Sequence, residues 1–171
     1  LHVEGHDYPV SHSWGGHVPI HLLGPGVDLD KRNPGVAGAA RAPQAMVQEL
    51  LNRSDDHLWA ILSNGLRLRL LRDSTALAGS AYLEFDLEAI FDGEVYADWL
   101  LLFQICHVSR LEIRKEAPGG EDAGPADCWL EGWRGEAVQA GTRALEHLRD
   151  GVEAAIVALG SGFLAHPANR W

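Results

Sequence analysis

This chain is short of the residues on which many small proteins depend. It has two cysteines in 171 residues, Cys106 and Cys128. Two cysteines cannot form a disulfide framework, and no Cys-x-x-Cys pair is present to begin a zinc site. Both lie in apolar or aromatic text (QICHV and DCWLEGW), which reads as buried free thiols in a reducing cytoplasm. Basic residues are few as well: 14 Lys and Arg against 24 Asp and Glu, a formal net charge of -10. A surface of that sign repels phosphate, so contact with nucleic acid would need a local basic patch or a basic neighbour. Apolar runs such as Trp99 to Phe103 are far too short to cross a bilayer, and no membrane partner is expected. The opening LHVEGHDYPV has neither the basic start nor the apolar run of a signal peptide, so the expected location is cytoplasmic. The chain opens on Leu1 rather than Met and ends on Trp171 after AHPANR. That reads as a piece of a larger protein, with a processed mature protein as the alternative.

The composition, 46% hydrophobic and 22% charged, is that of an ordinary globular chain. The length suits one domain with a core and an appended helical piece. Residues 1–40 are rich in proline and glycine, with one strand expected at Val18 to Leu23. Such a segment cannot easily build a core alone, and is expected to drape over one or to continue an upstream sheet. Residues 43–53 read as a helix: Pro43 fits its first position, and Met46, Val47, Leu50 and Leu51 share a face.

Next comes HLWAILSNGLRLRLLRDS, residues 57–74. LWAIL reads as a buried strand, and Asn64-Gly65 as a type I′ hairpin turn with positive φ at both central residues. In the return strand, Leu66, Leu68 and Leu70 alternate with Arg67 and Arg69. AYLEFDLEAIF begins as a third strand, completing a meander that sets Glu84 and Asp86 across from Arg67 and Arg69. Two readings of Arg67, Arg69 and Arg72 stand. They pair with these acids inside the protein, or they face DNA phosphates. From Gly93 to Val108 the apolar residues run nearly all round, as in a buried helix. Residues 115–127 read as a flexible acidic loop. A long helix from about Glu136 to Leu159 follows, with Leu145, Leu148, Val152, Ile156 and Leu159 as its stripe, stopped by GSGF at 160–163.

Few constellations suggest chemistry. His12, His17 and His21 could join Asp28 or Asp30 in a zinc site, but their spacing is not that of a helical His pair. Asp28 and Asp30 in VDLDKR suggest a magnesium-dependent nuclease. Lys31 would point away from Asp30 on an extended strand, and no later Glu-x-Lys completes the set, so solvated loop charges are the simpler reading. GSGF follows a helix instead of linking a strand to one, so it is no phosphate cradle. Ser11 and Ser13 lack a Gly-x-Ser-x-Gly elbow. Cys106 and His107, neighbours on an expected helix, point about 100° apart and cannot form a nucleophile–base pair.

Four segments carry a resemblance that covers almost the whole chain: YPVSHSWGGHVPIHLLGPGVDLDKRNPG, MVQELLNRSDDHLWAILSNGLRLRLLRDS, AYLEFDLEAIFDGEVYADWLLLFQICHVSRLE and CWLEGWRGEAVQAGTRALEHLRDGVEAAIVALGSGFLAHPAN. Together they resemble the N-terminal region of large bacterial restriction–modification DNA methyltransferases, the single-chain adenine-specific kind related to type IIG enzymes. The unit SNGLRLRLLRDS…YLEFDLEAIF is similar to one near the end of nuclease-like domains in type I and type IIG systems. The resemblance implies an α+β fold: a small antiparallel or mixed sheet, hairpin 58–72 plus strand 81–86, with packed helices. It also implies a nuclease-like region over 1–114, incomplete at its N-terminus, then the loop 115–127 and a helical connector over 128–171.

The parent enzyme it implies moves a methyl group from S-adenosylmethionine to the amine of a flipped adenine, and would use Mg2+ if it also cleaves DNA. An Asn/Asp-Pro-Pro-aromatic motif and a glycine-rich cofactor strand are absent from these residues, so no catalytic or cofactor residue carries over. DNA would be met through the full-length parent. The alternative function is an acidic module docking a partner subunit of a defence complex through Trp129, Trp133 and the long helix. A metal-dependent nuclease using Asp28 and Asp30 ranks third.

Overall fold

The computed structural model describes residues 1–74, 81–114 and 122–167, and shows an α+β architecture. A small ribbon, β1 (His2–Val3) with β2 (His6–Asp7), precedes a five-stranded mixed sheet. The sheet order is β3 (His12–Trp14), β4 (Val18–Leu22), β5 (Trp59–Ser63), β6 (Arg67–Arg72) and β7 (Ala81–Asp86). Among the described strands only β4 and β5 run parallel, with Ile20 opposite Ile61. A parallel pair needs a crossover, and α1 (Pro43–Asn52) supplies it.

The meander β5–β6–β7 has the expected register: Arg67 lies opposite Asp86 and Arg69 opposite Glu84. Its first turn differs from expectation. Gly65 has φ +84° while Asn64 and Leu66 do not take positive φ, and the Asn64 N–H donates to the Arg67 carbonyl. The central pair is therefore Gly65-Leu66, with glycine at the one position of a II′-type turn that needs positive φ. Asn64 holds the turn from its side chain, accepting from the Leu66 and Arg67 N–H groups and donating to the Val27 carbonyl.

Both faces of the central strands are covered. On one, α1 lays Met46, Val47, Leu50 and Leu51 over Ala60, Leu62 and Leu71, together with Tyr8 and Leu29. Burial of a side chain of this size contributes about 1.5–3 kcal/mol. On the other, Val18, Trp59 and Leu70 meet Leu111, Cys128 and Leu130. Residues 1–40 thus do more than drape. They contribute two sheet strands, including β3, which the residue pattern did not suggest, and core side chains that include Tyr8, Val18 and Leu29.

AYLEFDLEAIF is strand to Asp86, as expected, and Asp86 then caps α2 (Leu87–Asp92) by accepting from the Ala89 N–H. The helical half beyond it needs correction. The helix expected over Gly93 to Val108 is two pieces, α3 (Tyr96–Cys106) and α4 (Val108–Leu111). His107, with extended backbone (ψ 139°), breaks the run and caps α4. Nor is α3 buried: none of its residues is internal. Being apolar all round, it offers no single stripe to a core, and it meets the second core cluster through Ile105 and Cys106 at its C-terminal end.

The last helix, α5 (Trp129–Ala165), starts earlier and ends later than expected, and GSGF lies inside it. Glycine permits a left-handed C-cap but does not impose one, and continuing through it costs about 1 kcal/mol per residue. The chain falls into two compact units, Leu1–Leu130 and Glu131–Trp171. The expected loop 115–127 falls outside the described residues over 115–121. At its end, the Arg114 N–H donates to the Asp127 carbonyl (3.0 Å). No described helix is long and apolar enough to cross a membrane.

Candidate functional site

The arginines of β6 part company because of the pleat. Arg67 and Arg69 share the α1 face with Leu71, whereas Arg72 lies on the face of Leu70 and Trp59. Arg72 donates to the Asp73 carbonyl (2.7 Å), and its guanidinium carbon lies 6.0 Å from the centre of the Trp59 ring. Arg67 pairs with Glu84 at 2.9 Å and Asp86 at 3.2 Å, and is half exposed.

Arg69 is internal, only 5% exposed. Its Nη1 and Nη2 reach the two oxygens of Asp30 at 2.6 and 2.8 Å, a bidentate pair. Its Nε donates to Glu84 at 2.6 Å, and Nη1 also reaches Gln44 Oε1 at 3.2 Å. The Tyr82 ring stacks 4.6 Å away. One guanidinium thereby ties the 25–32 loop, α1 and β7 to β6. Its bond holds the Asp30 carboxyl below the usual carboxylate range, and the two acids raise the guanidinium's own proton affinity. Internal pairing is what the geometry shows for Arg67 and Arg69, and the three arginines form no common patch for phosphate.

The same bridge decides the status of the Asp28–Asp30 pair. Both Asp30 oxygens face Arg69, while Asp28 accepts from the Asp30 N–H (2.9 Å) and pairs with Lys31 (3.1 Å). Two clefts lie beside Asp30, a polar one of about 440 Å3 toward Asn64 and Glu84 and another of about 450 Å3 along α1 toward Arg53. A divalent cation would have to displace Arg69, so these residues do not fit a magnesium site. Among the described residues no group of three His, Cys, Asp or Glu side chains could hold a metal.

The three histidines weighed for zinc are engaged separately. His12 meets the Ser11 hydroxyl, His17 donates to the Leu111 carbonyl (3.1 Å), and buried His21 donates to the Gly38 carbonyl (2.9 Å). Gly38, at φ +75°, has to be glycine, since a Cβ there would stand 2.7 Å from the imidazole. Burial lowers the His21 pKa, as it does that of His57. Gly160 and Gly162 lie within a helix and not at a strand-to-helix turn, so they do not fit an S-adenosylmethionine cradle. Cys128 is fully buried, and burial pushes the Cys106 thiol up to about 11, which makes it a poor nucleophile.

What the residue pattern did not reveal is a surface. On α3 the rings of Tyr96, Trp99 and Phe103 stack in a ladder with centres 5.7 Å apart, continued by His107 at 5.1 Å. Leu100 and Leu101 are exposed beside them, and Tyr96 is 68% exposed. Tyr96 and Trp99 also close an apolar groove of about 260 Å3 with Ile90, Phe91 and Val95. The available signal was the absence of any polar stripe over residues 99–103. That feature marks a helix covered on several sides without saying by what. No family model, no curated protein and no solved structure matches the chain.

Proposed function

We propose that this chain is a non-catalytic scaffold and docking region of a bacterial restriction–modification enzyme, at the N-terminal side of its adenine methyltransferase core. The observation that carries the docking role is α3, whose exposed rings and leucines form a contiguous apolar surface of the kind that marks a protein interface. The methyltransferase context comes from the sequence resemblance. S-adenosylmethionine, and magnesium if the parent cuts DNA, would be held by residues outside this chain, as would the target adenine. The sheet's contribution is mechanical: the Asp30–Arg69–Glu84 link and the α1 core give α3 a firm base.

The test is to read the gene on both sides of this segment and assay the complete product for methyl transfer from S-adenosylmethionine to adenine in DNA. An open frame running past Trp171 into an Asn-Pro-Pro-aromatic motif, with methylation lost when that asparagine is replaced, is the expected result. A start codon directly before Leu1 and a stop directly after Trp171 would overturn it. The α3 surface would then favour the second reading, a stand-alone module that docks a partner subunit of a defence complex.

A further inference from the structure

Seven of the nine large exposed apolar residues of α5 beyond Trp133 follow a heptad pattern, while Val157 and Leu164 lie on the side of Asp150. Val138, Leu145, Val152 and Leu159 recur every seven residues. Three residues after each come Gly141, Leu148, Ala155 and Gly162. Beside this seam runs a third row made only of small residues, Ala137, Ala144, Gly151, Ala158 and Ala165. Every seam residue is exposed; Leu145 is 68% and Leu159 80% accessible. Gln139, Glu146, His147, Asp150 and Glu153 lie off the seam, on the other side of the helix.

We infer that this face of α5 pairs antiparallel with the same face of a second copy of the chain. The sizes choose the orientation. In a parallel pair each row meets its own kind, so large side chains crowd at one layer and glycines leave a void at the next. In an antiparallel pair centred on Asp150, each row meets the other. Val138 then faces the partner's Gly162, Leu159 the partner's Gly141, and Leu145 the partner's Ala155. Only the central layer, Leu148 with the partner's Val152, sets large against large. The same register places the small row of one copy along that of the other, so the backbones can approach closely. This register is its own inverse, as a two-fold interface requires.

The buried area also suits a dimer. With Ile156 and Phe163 flanking the seam, each copy offers seven large apolar side chains. At roughly 60–120 Å2 each, two copies would bury roughly 850–1,700 Å2, which overlaps the range of stable interfaces. One feature opposes the pairing. Arg149 flanks the seam near the two-fold and would face the partner's Arg149, tempered by Glu146 and Glu153 one turn away on its own helix.

Sedimentation of the whole chain tests this without reference to the enzyme it belongs to. At about 50 µM it is expected to run as a dimer, and a Leu145→Asp, Leu159→Asp variant as a monomer, its dissociation constant raised about 100-fold or more. Gln139→Asp, on the outward side, should leave the dimer intact, and Arg149→Gln should tighten it. Mixing an Ala144→Cys chain with an Ala158→Cys chain under mild oxidation should give a 144–158 cross-link, identified by peptide mapping. A monomeric wild-type chain, a dimer without that cross-link, or an open-ended assembly would overturn the proposal.

Discussion

Helices α1 and α3 are nearly equal in length and opposite in fate. Helix α1 mixes polar and apolar residues, and its large apolar ones are all internal: Met46, Val47, Leu50 and Leu51 lie at 0–1% exposure. Helix α3 is far more apolar, yet no residue of it is internal. The difference lies in arrangement. Helix α1 gathers its apolar residues on one side, and a two-sided sheet offers that side a matching face. Helix α3 distributes them around its axis, and the sheet can cover only part of such a helix. Total hydrophobicity thus says that a helix wants covering, while pattern says whether the domain itself can do it.

Substitutions can break this contrast or sharpen it. The largest effect is expected in the α1 core, where Leu50→Ala should lower unfolding stability by about 3–4 kcal/mol in urea denaturation. A loss below about 1 kcal/mol would mean that α1 is not packed as described. Next comes Arg69→Ala. It leaves Glu84 and Asp30 without their common partner, and a loss of about 3 kcal/mol is expected. The figure belongs at the low end for a broken buried pair, because water can still reach Asp30, which is largely exposed.

A smaller, pH-dependent effect comes from the buried imidazoles. The folded-state pKa values of His21 and His57 are lowered by burial, so their neutral forms are favoured in the fold. Their contribution is complete above the unfolded value of about 6.5 and is lost as pH falls through it toward the folded value. The carboxylates of Asp30 and Glu49 are also lowered, and their contribution fades only as pH falls below the ordinary acid range. Thermal melts should therefore decline in two stages on acidification, and His21→Gln should blunt the first. A melt flat between pH 7 and pH 5 would count against the buried imidazoles. The smallest effect belongs to α3: Phe103→Ser should change stability by no more than about 0.5 kcal/mol while weakening capture of whatever covers the ladder. A large loss of stability there would show that α3 is packed after all.

Much of the sheet was legible because its signals are local. The alternation in residues 66–72, the turn glycine and the acids of 84–86 lie within about twenty residues of one another, and they predicted the meander and its ion pairs. The partnership of Arg69 with Asp30 was not legible. The two residues are 39 apart in sequence, and Asp30 reads more readily as half of a carboxylate pair. The strand β3 escaped notice because His12, Ser13 and Trp14 are all exposed and carry no apolar alternation. The extent of α5 was misjudged because two glycines look like a stop, although nothing beyond them demands one. For the candidate surface, residue types were enough to mark α3 as unusual. Its exposure is a tertiary fact, fixed by which strands and helices had already taken the available faces.

The parallel contact of β4 with β5 also sets an order of events. Ile20 must wait for Ile61, about forty residues later, before β4 has a neighbour on that side. The meander β5–β6–β7 closes over short loops and can form by itself. Bringing β4 to it requires closure of a long loop, an entropy loss that local contacts cannot offset in advance. The rate of folding should therefore answer to the 23–42 connection more than to the hairpin turn. Shortening that connection should speed refolding even where it leaves the final stability unchanged.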